Sequence, residues 1–203
     1  MNNFPLPVTE EIKHWKAVGI VPAFFGLGFV QLKLSKLHRL HFYHPEANPI
    51  AHYQEEPHDH RYHFHSRVLA GELRQESYAF TADENGAWLK TLETCQPGVE
   101  APVGSDTLGK VEKIAKMRHY ADDEYFCHEQ TFHTVTTGPD GWAITDLTRT
   151  DYTKQFAHVL RLKTGEKTCP FSQPKSEDWC WEIIADCLKR GQAMQNFYQK
   201  QHD

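Results

Sequence analysis

The chain has 203 residues, 39% hydrophobic and 24% charged, so it is long enough to bury one core and too apolar for a disordered segment. A net charge of −5 and a pI near 6.3 offer no overall positive field to nucleic acid or to an acidic membrane surface. One domain over 1–203 is expected, and the absence of a basic-then-apolar leader and of any window near the roughly 18 apolar residues of a membrane span reads as cytoplasmic.

In chain order, Thr9 with Glu10 and Glu11 behind it predicts a short helix over 9–18 that stops at Gly19. The segment from Phe24 to His44 mixes glycine-rich apolar sequence with strand-like alternation and ends at the turn signals of "PEANP". Its "GLG" lacks the third glycine and the strand-turn-helix setting of a dinucleotide fingerprint. From 58 to 162 the pattern is a series of short strands, at 60–69, 72–81, 87–94, 109–119, 124–136, 142–149 and 156–162. Regular spacing with turn chemistry between them points to an antiparallel barrel or sandwich, and "GPDG" at 138–141 reads as its clearest hairpin turn.

The last region turns helical. Ser176 can cap a helix over 176–199, along which Cys180, Ile183, Ile184, Cys187, Leu188, Met194 and Tyr198 follow helical spacing. That stripe should cover the barrel exterior or a second subunit. Trp179 and Trp181 cannot both face it squarely, which leans toward a partner, a homodimer included. Cys95, Cys127, Cys169, Cys180 and Cys187 are odd in number and hold no C-x-x-C pair, so reduced, mostly buried thiols are expected rather than disulfides or a cysteine zinc site.

Histidine is the unusual residue: there are 14, and positions 38, 41, 44, 52, 58, 60, 63 and 65 hold eight of them. On a strand His58 and His60 project to one face about 7 Å apart, close enough to share a metal when their rings lean together. His65 has the opposite parity and joins them only across a bend or bulge near Tyr62 and His63; on an unbroken strand His63 and His65 form a pair of their own facing the other way. A wet, histidine-rich edge strand is the competing account of His58 and His60. Pocket-wall or surface positions suffice for His38, His41, His44 and His52.

The series His58-x-His60, four residues, His65, five residues, Gly71 resembles the first motif of the cupin superfamily, H-x-H, three or four residues, Glu, six residues, Gly. It departs from it in holding His at 65 and in being one residue short before Gly71. "EQTFHTVTTGPDGW" resembles the second motif, with His133 as its histidine and His128 as the rival of opposite parity. The phrase "HDHRYHFHSRVLAGEL" is similar to small bacterial and phage cupins of undefined function, and the likeness spans about 38–162. It implies an all-β double-stranded β-helix, or jelly-roll barrel, with a metal on His58, His60, His65 and His133, and frequent dimerisation.

Imidazole ligands suit Fe, Zn, Cu or Ni better than Mg or Ca; iron is the first expectation, with Mn also admitted. Neutral ligands leave the ion's charge uncompensated, which favours a small polar or anionic molecule at an open position. Arg67, Arg74, Glu76 and Tyr78 flank Gly71, and alternation puts Arg74, Glu76 and Tyr78 on one face. That face is either the cavity wall, where Arg74 or Tyr78 would fix a substrate, or the solvent side, with Leu73 and Ala79 inward. A metal-dependent enzyme of oxygenase type leads, followed by a metal-assisted isomerase or lyase, a non-catalytic sensing module and a structural zinc protein. "KVEKIAKMRH" at 110–119 reads as a wet strand face rather than a nucleic-acid site.

Overall fold

A computed structural model of the chain describes residues 8–47, 56–94, 106–164 and 174–202, with side chains to 196. His52, Cys95, Cys169 and the side chain of Tyr198 lie outside the described residues. Helix α1, Val8–Ala17, precedes ten strands: β1 Ala23–Phe25, β2 Phe29–Lys33, β3 His38–Tyr43, β4 Phe64–Ala82, β5 Trp88–Glu93, β6 Thr107–Tyr120, β7 Glu124–Cys127, β8 Phe132–Thr137, β9 Ala143–Arg149 and β10 Ala157–Leu162. Helix α2, Glu177–His202, closes the chain.

All the strand pairings are antiparallel, and β4 organises them. Its first half pairs with β7 and β9, and β9 leads outward through β3 and β2 to β1. Its second half pairs with β6 and β8, and β6 leads through β5 to β10. His58 bridges both His133 and Val159, so the pairing runs from β4 through β6, β5, β10, His58 and β8 back to β4. Closing a sheet on itself leaves fewer open edges and encloses an interior.

The segments expected at 60–69 and 72–81 are thus one strand, bent where it passes between sheets. The register with β9 shifts between Val68 and Ala70, and Gly71 takes a φ of +81°. "GPDG" is not a hairpin turn, because β8 and β9 do not pair with each other; they run in succession along one edge of β4, and 138–141 carry the chain past the bend. The expected strand 124–136 is divided into β7 and β8 by a turn in which Thr131 N donates to His128 O at 2.9 Å.

Alternation sorts each strand's residues between two cores. Val30, Leu32, Leu40, Phe42, Ala70 and Ile144 face outward from the barrel onto Cys180, Ile183, Ile184, Cys187 and Leu188 of α2, with Val8 and Trp15 of α1 beside them. The apolar stripe of α2 is therefore covered by the chain's own sheet. Trp181 is buried there, and Trp179 meets Phe24 edge-on at 5.4 Å, so neither indole needs a second subunit. Cys127, Cys180 and Cys187 are free and buried, as expected of reduced thiols.

Ser176 caps α2 as the sequence suggests, its Oγ accepting from Trp179 N at 3.2 Å. Ser176→Ala should cost about 1 kcal/mol, a fall of about 2–4 °C in Tm for a chain of this size. Thermal unfolding followed by far-UV circular dichroism reads this directly.

Candidate metal centre

His58 and His60 sit on the segment that leads into β4, where the bridge to β8 and β10 holds His58 in place. His58 N donates to His133 O at 3.0 Å, and His133 N donates back to His58 O at 2.9 Å. Asp59, between them, points the other way and is 3% exposed, its carboxylate accepting from His158 N at 2.6 Å and Lys154 Nζ at 2.5 Å and lying 2.8 Å from His158 Nδ1. This anchor turns the two flanking imidazoles inward.

His58, His60 and His133 then converge, each offering a nitrogen within 4.8 Å of the others. The closest pair is His60 Nε2 and His133 Nε2, 2.8 Å apart. As found, this is a hydrogen bond with the proton on one of the two nitrogens; two nitrogens each about 2.1 Å from one ion lie about 3.0 Å apart at a right angle, so an ion would take that proton's place with the rings slightly further apart. His58 Nδ1 is 3.1 Å from the Glu56 carbonyl and donates to it, which makes Nε2 the nitrogen without the proton.

His133 has a partner of the same kind. Gln75 Nε2 lies 3.0 Å from His133 Nδ1, and Gln75 Oε1 accepts from His119 Nε2 at 3.3 Å. Turned so that its oxygen accepts from His133 Nδ1–H, this amide fixes the tautomer that exposes Nε2. Burial lowers the pKa of all three imidazoles; for His60 the neighbouring His133, His58, His41 and Lys154 lower it further, and for His133 the neighbouring His58 does. Each shift favours the neutral imidazole, the form that binds a metal. Gln75→Leu should weaken metal affinity about 10- to 100-fold while leaving the ligands in place, measured by competition with a chromophoric chelator.

His65 is not brought to this group. The bend at Arg61 and Tyr62 precedes the strand, but it sets Phe64 inward, so His65 next to it points out and lies exposed against Phe126 at 4.9 Å. The same parity puts His63 outside with it, stacked on Phe126 at 5.8 Å. His128 stays outside too, beside His63, so the structure sets His133 rather than His128 with His58 and His60.

Arg74 and Tyr78 also fall away from the centre. Leu73, Gln75 and Ser77 are the buried residues of that half of β4, so Arg74, Glu76 and Tyr78 occupy the outer face. There Arg74 pairs with Glu72 at 2.9 Å and Tyr78 donates to Glu76 at 3.0 Å, while Lys113 and Lys116 reach the same Glu76. Arg67 pairs outward with Asp122 at 2.6 Å. The expectation that Arg74 or Tyr78 orients a molecule at the histidines fails on side-chain direction.

Other residues line that interior. Gln31 Nε2 is 2.9 Å from His41 Nε2, and burial together with Arg39 pushes the His41 pKa down to about 3. Tyr62, 5.6 Å from His60, accepts from Arg39 at 3.0 Å, and the guanidiniums of Arg39 and Arg149 lie over its ring at 5.3 and 5.0 Å. Gln31 Oε1, Ser66 Oγ, Arg39 Nε and Arg149 Nε are buried without a hydrogen bond among the described residues. No ion pair to Arg39 or Arg149 occurs among those residues; Asp151, which senses Arg149, is held by Lys36 at 2.7 Å. Sequence reading missed Gln31, Arg39 and Arg149 because they lie on β2, β3 and β9, far in sequence from the motif.

No protein-family model matches the sequence, and no curated protein matches it. Among solved structures the chain is similar to the Drosophila melanogaster CENP-C cupin domain, at 12% identity and a TM-score of 0.39 over 66% of this chain and 72% of that one. It is also similar to Drosophila melanogaster CENP-C bound to CAL1, at 12% identity and a TM-score of 0.40 over 70% of this chain and 94% of that one. These likenesses carry no argument about what this chain binds. The chain folds as a mostly antiparallel curled sheet with helices toward both ends, and three histidines are gathered inside it. Among the described residues no helix is long and apolar enough to cross a membrane.

Proposed function

We propose that the barrel holds one divalent transition-metal ion, iron first, on His58, His60 and His133, and acts as a metal-dependent enzyme on a small anionic molecule. The observation that carries this reading is the convergence of three inward imidazole nitrogens within 4.8 Å of one another. Orientation of His58 by the Glu56 carbonyl and of His133 by Gln75 supports it, since ligating histidines are usually held through their other nitrogen. An ion there would supply a Lewis-acidic and, as iron, redox-active centre with positions left open by only three protein ligands.

The chain's own residues would do the rest. Arg39 and Arg149 offer two guanidiniums beside Tyr62, on the His60 side of the barrel, and unused Arg39 and Arg149 N–H groups are suited to a carboxylate. Phe64, 5.0 Å from His60, and the Tyr62 ring limit water at the centre. Oxidation by dioxygen is the reaction class we place first, with isomerisation or lysis as the alternative.

Metal analysis of untagged protein, followed by calorimetric titration of the iron-loaded form with succinate as a carboxylate probe, tests this. One ion per barrel and binding weakened at least about 10-fold in Arg39→Ala are expected. Carboxylate binding without any bound metal would instead make the barrel a non-catalytic binding module, and neither metal nor carboxylate binding would remove the proposal altogether.

A further inference from the structure

Outside the barrel, His63, His128 and Glu129 form a second convergence of ligand atoms within 4.8 Å of one another. His63 lies just before β4, its carbonyl accepting from Thr150 N at 2.9 Å and its own N donating to Thr150 Oγ1 at 3.2 Å. His128 and Glu129 belong to the turn between β7 and β8, where Lys154 Nζ donates to the Glu129 carbonyl at 2.8 Å. The two imidazole rings are 4.5 Å apart.

Each Nδ1 of this cluster is met by both a backbone N–H and the Glu129 carboxylate. Glu129 N lies 3.4 Å from His63 Nδ1 and Gln130 N lies 3.3 Å from His128 Nδ1, long contacts in which each Nδ1 can act as acceptor when it carries no proton. Both also contact Glu129 Oε2, that of His128 at 3.2 Å, and this oxygen is buried and takes no other hydrogen bond. The buried carboxylate oxygen is thus satisfied by a proton on either imidazole, or by a cation held in that proton's place between the three atoms. The Glu129 side chain is 13% exposed and that of His128 49%, which gives a held carboxylate and an open approach from solvent.

We infer that His63, His128 and Glu129 form a second divalent-metal site of zinc type, distinct from the barrel centre and not dependent on it. Two imidazole nitrogens and one carboxylate oxygen are ligands zinc accepts, and the exposed side leaves its fourth position to water. Mg and Ca, which prefer oxygen throughout, fit less well. The ion would tie the β7–β8 turn to the start of β4. Since β8 carries His133, the clamp would brace the strand that supplies the barrel with one of its three histidines.

The test is zinc stoichiometry by mass spectrometry on untagged full-length protein, stripped with chelator, equilibrated with Zn²⁺ and desalted. Wild type should retain two ions, Glu129→Gln and His128→Ala one each, His60→Ala one, and His60→Ala with Glu129→Gln none. A wild-type count of one that His60→Ala abolishes and His128→Ala leaves intact would overturn this site and keep the barrel reading. A count of one lost only in His128→Ala and Glu129→Gln would keep this site and reject the barrel reading. Equal retention by wild type, Glu129→Gln and His128→Ala would also overturn it. Zn²⁺ should raise the Tm of His60→Ala and not that of the double variant, a readout independent of the count.

Discussion

His133→Ala is expected to abolish stoichiometric metal binding in the barrel, weakening it more than about 100-fold. Four-ligand zinc sites are worth about 10–16 kcal/mol, so one ligand removed from three carries at least about 3 kcal/mol. The loss should exceed that of Gln75→Leu, which removes only the orienting amide. His133 is 2% exposed and its backbone pairs with His58, so the alanine variant keeps its strand bonds and leaves a void. His60→Ala supplies the control, because His60 stands outside the named strands and should lose the metal with less effect on folding. Metal retained by both variants would show that distant histidines do not share an ion.

Gly71→Ala should be strongly destabilising, because it combines a left-handed backbone with a close backbone approach. Gly71 has a φ of +81°, and a Cβ there would meet the Trp142 carbonyl oxygen at 2.5 Å and Ala143 Cα at 2.8 Å. The left-handed conformation alone costs an L-residue about 1–2 kcal/mol, and the backbone overlap should bring the total to at least about 3 kcal/mol. For a chain of this length that is a fall of about 6–12 °C in Tm. Gly19 provides the comparison: its φ is +77°, yet nothing lies within 4 Å of the added Cβ, so Gly19→Ala should show only the conformational part. Equal effects of the two substitutions would refute the close approach of β9 to the bend in β4. Because β4 also positions Gln75 beside His133, Gly71→Ala should weaken metal retention as well.

Much of the fold is legible in local pattern. Ser176 and the apolar spacing behind it mark α2, and turn residues bracket β5, β9 and β10 within one or two positions of their observed ends. His58 and His60 are legible as a same-face pair, and His133 as the histidine of a downstream strand leading to a turn. What periodicity hides is which side of a strand is inside. Arg74, Glu76 and Tyr78 do share a face, but only the closing of β6 and β8 around β4 makes Leu73, Gln75 and Ser77 the interior set. His65 fails for the same reason, since Phe64 takes the inward direction and alternation sends its neighbour out.

By itself the sequence determined the all-β class, the terminal helices, the same-face relation of His58 and His60, and the buried character of the cysteines that are described. These follow from composition, capping and side-chain period, which act over a few residues. Only the tertiary structure decided that His133 meets His58 and His60, that His63 joins His128 and Glu129, and that Arg39, Arg149 and Gln75 face the same interior. Those contacts depend on the bend of β4 at Gly71 and on the bridges of His58 to two strands, and a strand's own sequence states its alternation without naming the neighbours that will cover each side.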